Sequence, residues 1–321
     1  MADTAMKAPL IEVGNLAVAF ANPSRLPGEP KTFRAVDDVT FTVRAGEVFG
    51  IVGESGSGKT TLGKTLLRLY RPQAGTIRYA GADITTLGDA GLRPFRRELQ
   101  MIFQDPLSSF NPRVRIGQSL ALPLWLHRLC APAEIDDEVA RLLAKVGLSL
   151  RFKDRYPHEM SGGQLQRVAI ARALALRPRL IVADEPVSKL DVSVRAQILN
   201  LFRDVQRDTG VALIFVTHDL RVARYLCDRI AVMFFGRLVE IGPTADIFAR
   251  PRHPYTRQLL ATIGKRADRD AAAEPAPPAD AAGCRYRSRC AHADATCAQR
   301  IPPLIGFAAE RHVACHHFEK F

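Results

Sequence analysis

A chain of 321 residues is long enough for two domains of ordinary size, or for one large domain with an appendage. Hydrophobic residues make up 47% and charged residues 24%, which are globular proportions and exclude a collagen-like chain, a wholly disordered one and a disulfide-stapled miniprotein. The net charge of +12 admits nucleic acid, an anionic membrane surface or phosphate-rich ligands as partners, or simply an arginine-rich solvated surface. No block of about five or six consecutive basic residues marks a nucleic-acid arm. No apolar run reaches the roughly 18 residues of a bilayer span, and the longest, such as Ile230 to Phe235, suit buried strands. Met1 to Leu10 lacks the basic-then-apolar order of a secretory leader, so a cytoplasmic protein is expected. In that compartment the six cysteines are not expected to form structural disulfides.

Ile11 to Phe20 and Phe33 to Val43 read as strands, the second alternating at Val39, Phe41 and Val43; Pro23, Pro27, Gly28 and Pro30 between them read as a loop. Val48 to Val52 is a short apolar run that leads into a glycine-rich loop, and Leu62, Leu66, Leu67 and Leu69 continue at helical spacing. The region from about Gln118 to Ala175 is helical in period. Strands return at Leu180 to Ala183, Ala212 to Val216 and Ile230 to Phe234, with a helix marked by Val194, Ile198, Leu201 and Val205. Strands alternating with helices predict a largely parallel sheet covered on both faces. A boundary is expected near Gly242 and Pro243, followed by a short segment from Arg252 to Ile263. Next come a mobile linker over Gly264 to Gly283, rich in Ala, Pro, Asp and Arg, and a separate small unit in the last forty residues.

The loop Gly53-Glu54-Ser55-Gly56-Ser57-Gly58-Lys59-Thr60-Thr61 satisfies G-x-x-x-x-G-K-[ST]. In such a loop backbone N–H groups wrap phosphates, the lysine reaches the β and γ phosphates, and the hydroxyl of Thr60 ligates Mg²⁺. The strand before it and the helix after it supply the context the motif requires. A second apolar strand ends in Asp184-Glu185. Side chains alternate along a strand, so the two carboxylates cannot share one role: in a P-loop ATPase the first would hold Mg²⁺ and the second would act as general base on the attacking water.

Between and around these motifs the residues resemble the ABC transporter ATPases. Ser161-Gly162-Gly163-Gln164 is similar to their signature motif, Gln104 to the Q-loop glutamine, Ser188 to Asp191 to the D-loop, and His218 to the switch histidine. Read alone, Ser161 is an anion site or a helix cap, and His218 a surface or packing residue. The resemblance implies that Ser161 to Gln164 close over the γ-phosphate of ATP held by an opposing subunit, with Asp191 at the same seam. It implies further that Gln104 and His218 sense the γ-phosphate, and that Gln104 joins Thr60 and Asp184 at Mg²⁺. Met160 and Lys189 depart from the usual wording, the second placing a cation where relatives carry a small residue. Phe20 and Phe33 are candidates for stacking on adenine.

Phe103 to Pro112, Asp184 to Val194 and Arg252-His253-Pro254-Tyr255-Thr256 resemble the dipeptide/oligopeptide/nickel importer ATPases, and Val187-Ser188 with Gln197 to Asn200 resemble their second ATPase subunit. The implied fold is α/β: a P-loop cassette over residues 1–243 with a RecA-like parallel sheet core, an antiparallel β subdomain and a helical signature subdomain at about 105–175. A C-terminal extension follows over 244–321. The implied assembly is a heterodimer with a homologous ATPase subunit under two membrane permeases, fed by an extracytoplasmic solute-binding protein, with no nucleic acid. The permeases are expected to meet about residues 104–160.

Cys284, Cys290, Cys297 and Cys315, spaced C-x₅-C-x₆-C-x₁₇-C, suit a tetrahedral Zn²⁺ or an iron–sulfur cluster equally by spacing. The importer resemblance implies a 4Fe–4S cluster. His292, His312, His316 and His317 could instead complete a zinc site, while Cys130 and Cys227 read as inert thiols. A soluble cassette acting on nucleic acid or ribosomes, a cassette with a purely regulatory role and no permease, and an importer of nickel or another non-peptide solute are the alternative functions.

Overall fold

The computed structural model describes residues 8–22, 32–263 and 282–321; the expected loop at Pro23 to Pro30 and nearly all of the expected linker at 264–283 lie outside the described residues. The chain groups into two compact units, Met1–Thr86 with Phe215–Phe321, and Leu87–Ile214.

The first unit opens with an antiparallel sheet. β1 (Pro9–Ala21) and β2 (Thr32–Arg44) pair with Val13 opposite Phe41 and Leu16 opposite Val39. The alternation buries Ile11, Val13, Val36, Val39 and Val43, and a register shift between Val13 and Leu16 lets Leu16 turn inward as well. β3 (Val48–Val52) is buried along its whole length, with Phe49 stacked on Phe41 at 5.1 Å. α1 (Lys59–Leu66) follows the glycine loop, and β4 (Ala74–Tyr79) and β5 (Ala82–Asp83) complete the order β2-β1-β4-β5.

The second unit contains α2 (Asp89–Glu98), β6 (Leu99–Ile102), α3 (Ile116–Leu126), α4 (Ile135–Lys145), α5 (Gly162–Leu174), β7 (Leu180–Asp184) and α6 (Val192–Thr209). β6 and β7 run parallel, with Leu99 opposite Leu180 and Ile102 opposite Ala183. Helices α3, α4 and α5 pack through Ile116, Leu120, Leu124, Val139, Leu143, Leu165 and Val168. α5 reaches α6 where Gly163 faces Val194, whose Cγ1 would stand 2.4 Å from a Cβ at that glycine. β8 (Ala212–Thr217) begins in this unit and ends in the first.

Back in the first unit, α7 (Leu220–Leu226) leads to β9 (Arg229–Phe234), which runs parallel to β3. β10 (Arg237–Pro243) returns antiparallel through a two-residue turn, Phe235-Gly236, with φ of 39° and 83°; two positive φ angles match the twist of the flanking strands. α8 (Thr244–Ala249), α9 (Pro254–Ala261), α10 (Ala295–Gln299), β11 (Ile305–Ala308) and β12 (Arg311–Val313) complete the chain, giving the order β11-β12-β10-β9-β3. The expectation of a largely parallel sheet holds for β3 with β9 and for β6 with β7; β10, β11 and β12 are antiparallel additions. The last forty residues also do not stand apart, because β12 bonds to the edge of β10 and covers backbone groups that would otherwise be unpaired.

One buried anion ties these parts together. The Asp37 carboxylate, 3% exposed, takes Arg34 at 2.9 Å, Arg237 at 2.7 Å and Arg285 at 2.5 Å. Burial pushes the Asp37 carboxyl up, but the arginines outweigh it and hold it below its ordinary value. Its stabilisation is therefore full above the usual carboxylate pKa of 3.8 and is lost as pH falls through the depressed one. Replacing Asp37 by Asn strands these guanidinium groups and is expected to cost about 3 kcal/mol in denaturant unfolding at neutral pH. The penalty should shrink as the pH is taken below about 4.

Candidate functional site

The glycine-rich loop at 53–61 is shaped by contacts that exclude side chains. Gly53 has φ +155° and Gly58 φ +101°; a Cβ at Gly53 would sit 2.2 Å from the Met233 carbonyl oxygen, and one at Gly58 2.0 Å from that of Ala35. Only glycine fits such a backbone. Gly58 is the N-cap of α1 with no side-chain cap, so the loop and the first helical turn, with Thr60 and Thr61, present backbone N–H groups to an anion. Lys59 is buried, and its ammonium donates to the Gly53 carbonyl at 2.9 Å, the Glu54 carbonyl at 2.6 Å and Ser57 Oγ at 3.3 Å, holding the loop curled. Ser55 and Gly56 are exposed at the crest. His218, also exposed, follows the end of β8 and precedes α7, whose N-cap Asp219 accepts from the Arg221 N–H at 2.9 Å.

In the second unit Asp184 is buried at the end of β7, while Glu185 turns out of the strand with φ +44°, a left-handed conformation uncommon for a non-glycine residue. Its carboxylate accepts from Gln104 Nε2 at 3.2 Å, and its carbonyl accepts from the Ser188 hydroxyl at 3.0 Å. Two residues predicted to flank the γ-phosphate are thus hydrogen-bonded to each other. Ser161 caps α5 with Gln164 N donating to its Oγ at 3.3 Å, and Gln164 Oε1 accepts from Ser161 N at 3.0 Å. Gly162 and Gly163 form the first turn of that helix, and Asp191 is the N-cap of α6. Arg172 on α5 donates to the Ser109 carbonyl at 2.6 Å and lies 4.2 Å over the Phe110 ring, fastening the segment after Gln104 to the signature helix; its burial lowers its pKa. A cavity of about 330 Å³ is lined by Gln104, Pro106, Leu107, Met160, Leu165 and Lys189. Leu107, Leu122, Trp125 and Leu126 are at least half exposed nearby in sequence.

The four C-terminal cysteines line one pocket with His253, Tyr286, His316 and His317. Burial, then the other three thiols, push Cys315 up to about 11, and Cys284 is raised chiefly by burial. Among the described residues, the group whose ligand atoms all fall within 4.8 Å is Asp294, Cys297 and His317, so only one of the four cysteines belongs to it. Spacing arguments named His317 but missed Asp294, which caps α10 by accepting from Cys297 N at 3.0 Å.

Sequence reasoning also missed two residues at the phosphate loop. The buried Tyr255 hydroxyl accepts from the Glu54 N–H at 3.0 Å, and Arg289 pairs with the Glu54 carboxylate at 3.2 Å. The Arg252 to Thr256 wording marked a resemblance without a role for Tyr255, and nothing local points from residue 289 back to residue 54.

Residues 36–188 match the family model described as "ABC transporter", and residues 239–297 match "Oligopeptide/dipeptide transporter, C-terminal region". Among solved structures, a dimeric ATP-binding cassette in a post-hydrolysis state bound to ADP and Pi aligns with TM-score 0.66 and 29% identity, over 73% of this chain and 98% of that one. cbiO1 from Clostridium perfringens aligns with TM-score 0.65 and 28% identity, over 75% of this chain and 91% of that one. The fold is that of an ABC ATPase cassette. A probable peptide ABC transporter ATP-binding protein of Sinorhizobium fredii is 48% identical over 88% of this chain and 82% of its own length. The oligopeptide transport ATP-binding protein OppF of Haemophilus influenzae is 40% identical over 95% of this chain and 96% of its own length. With these relatives and the matched C-terminal region, the chain belongs to the ABC transporter ATP-binding proteins of the oligopeptide/dipeptide branch.

Gly58→Ala, which drives a methyl into the Ala35 carbonyl, is expected to weaken nucleotide binding by more than about tenfold in an equilibrium titration.

Proposed function

We propose that this chain is the ATP-hydrolysing subunit of an importer for peptides or chemically related solutes, and that it pairs with a homologous ATPase subunit beneath two permeases. The names of its relatives support the solute class, and the Gln104–Glu185 hydrogen bond carries the mechanism. The cassette over 1–243 supplies the motor and the extension over 244–321 a fixed C-terminal module. Membrane attachment is through the permeases at the cytoplasmic face, reached from outside by a solute-binding protein. The half-exposed Leu107, Leu122, Trp125 and Leu126 are the apolar residues of the 104–160 segment that support permease contact. Among the described residues no helix is long and apolar enough to cross a membrane.

In this reading Gly53 to Thr61 wrap the phosphates of ATP and Lys59 exchanges its loop carbonyls for phosphate oxygens. The hydroxyl of Thr60, the carboxylate of Asp184 and the side-chain oxygen of Gln104 are hard oxygen donors that fit Mg²⁺. When bound, that ion offsets charge on the β and γ phosphates. Glu185 takes a proton from the attacking water as general base, Gln104 orients the Glu185 carboxylate, and His218 bonds the γ-phosphate. Ser161, Gly162, Gly163 and Gln164, with Asp191, contact the nucleotide of the partner subunit. Phe33, 48% exposed and 5.8 Å from Phe20, supports an adenine platform at that end of β2. Replacing Glu185 by Gln should reduce phosphate release by about 10²- to 10⁴-fold while keeping ATP binding, and should trap an ATP-bound dimer in gel filtration. Rapid turnover by that variant would sink the assignment.

Cys284, Cys290, Cys297 and Cys315 would hold a 4Fe–4S cluster, supported by their shared pocket. Zn²⁺ on Asp294, Cys297 and His317 is the second reading, favoured by the close set of those atoms. An anaerobic absorbance spectrum with iron, sulfide and zinc analysis decides: a broad band near ~400 nm with about four iron and four sulfide per chain is expected. One zinc without sulfide selects the second reading.

A further inference from the structure

The phosphate loop is gripped from the C-terminal side by residues that belong to none of the nucleotide motifs. Glu54 is held at three points: its N–H by the Tyr255 hydroxyl at 3.0 Å, its carbonyl by Lys59 at 2.6 Å, and its carboxylate by Arg289 at 3.2 Å. Tyr255 is completely buried, its ring 4.5 Å from Phe234 and 5.6 Å from Tyr286. α9, which carries it, is fixed at its start. His253 Nδ1 accepts from Tyr255 N at 3.0 Å, while the His253 N–H and Arg252 N–H go to the buried Glu240 carboxylate at 3.0 and 2.8 Å. Arg289 lies in the short loop between Cys284 and Cys290, whose other side chains are also anchored: Arg285 on Asp37 at 2.5 Å and Tyr286 on Gln258 Oε1 at 2.6 Å. The loop between the first two cysteines is thereby bolted to the same structure that carries the phosphate loop.

We propose that Tyr255 and Arg289 are positioning residues for nucleotide binding, through which the C-terminal module sets the affinity of the phosphate loop. Tyr255 fixes the plane of the Glu54 peptide, so the loop loses less conformational freedom when phosphate arrives. Arg289 offsets the Glu54 carboxylate, a negative charge that would otherwise stand within the loop beside its amides and repel the phosphates. Both effects have the same sign, since removing either residue weakens binding. The proposal rests on the phosphate-binding reading of residues 53–61 and is independent of whether the cysteines hold a metal.

The test is an equilibrium titration of the full chain with a fluorescent ATP analogue and Mg²⁺, paired with thermal unfolding of each variant. Tyr255→Phe removes one oxygen and is expected to bind about three- to tenfold more weakly, with little change in unfolding midpoint. Arg289→Gln should lose a similar factor, more at low salt than at high. Arg289→Lys, which retains the charge, should recover much of that loss, and so should Glu54→Gln in the Arg289→Gln background. Gly58→Ala in the same titration reports on the loop itself. If it binds like the unaltered chain, the phosphate-loop reading fails. If it loses binding while Tyr255→Phe and Arg289→Gln stay within about twofold of the unaltered chain, the positioning proposal alone is overturned. Failure of Glu54→Gln to restore binding to Arg289→Gln overturns the electrostatic half.

Discussion

The backbone of the phosphate loop passes so close to two carbonyl groups that no side chain fits at Gly53 or Gly58. Those carbonyls belong to Met233 on β9 and Ala35 on β2, so the loop is seated between a strand of each sheet of its unit. Its shape is therefore a property of how the two strands are held. They are held near the Phe235-Gly236 turn: the Asp37 N–H bonds the Gly236 carbonyl at 2.9 Å, and the Gly236 N–H bonds the Ser57 carbonyl at 2.8 Å. The Asp37 carboxylate gathers Arg34, Arg237 and Arg285 around the same place. A buried carboxylate is tolerated only with such partners, and here the partners come from β2, β10 and the C-terminal segment.

The second unit stores its specificity in a different way. Glu185 is held at φ +44°, which costs on the order of 1–3 kcal/mol for a residue with a side chain and persists only where neighbours over-determine it. The neighbours are Gln104 at the carboxylate and Ser188 at the carbonyl. Gln104 begins the segment that Arg172 fastens to α5, and α5 begins at the Ser161 cap. A shift of that segment is consequently felt both at the carboxylate and at the last turn of α5. Such a linkage is what a device needs if events at a membrane partner are to reach the chemistry.

The parts of this arrangement legible in the sequence are those in which chemistry and chain order coincide. A strand, a glycine loop and a helix are contiguous, so the phosphate loop and the flanking elements β3 and α1 could be read directly. Strands β7, β8 and β9 stood out because each is an uninterrupted apolar run. β10 was not recognised: Glu240 lies at its centre, and a charge in the middle of an apolar segment reads as a break. The charge is stabilised by Arg311 at 3.2 Å and by two backbone N–H groups of the Arg252-His253 turn, partners far off in the chain. β11 is short and mostly exposed and β12 is short and mostly polar, and their strand character comes from pairing, β12 with β10 and β11 with β12. The Gln104–Glu185 bond was not anticipated, because the resemblance gave each residue a role at the γ-phosphate without pairing them, and the contacts of Tyr255 and Arg289 with Glu54 span 201 and 235 residues of sequence.

Glu240 also explains why the tail is integral to its unit. Without Arg311 this fully buried carboxylate would keep only neutral backbone donors, and without β12 the adjoining edge of β10 would present unpaired amides. The same carboxylate orients the Arg252-His253 turn, and that turn starts the helix that sets Tyr255 against the phosphate loop. The chain of contacts runs without interruption from Arg311 through Glu240, His253 and Tyr255 to Glu54. A change in the C-terminal segment therefore has a direct physical route to the backbone of the glycine-rich loop at Glu54. A tail joined to the cassette only by its linker would have none.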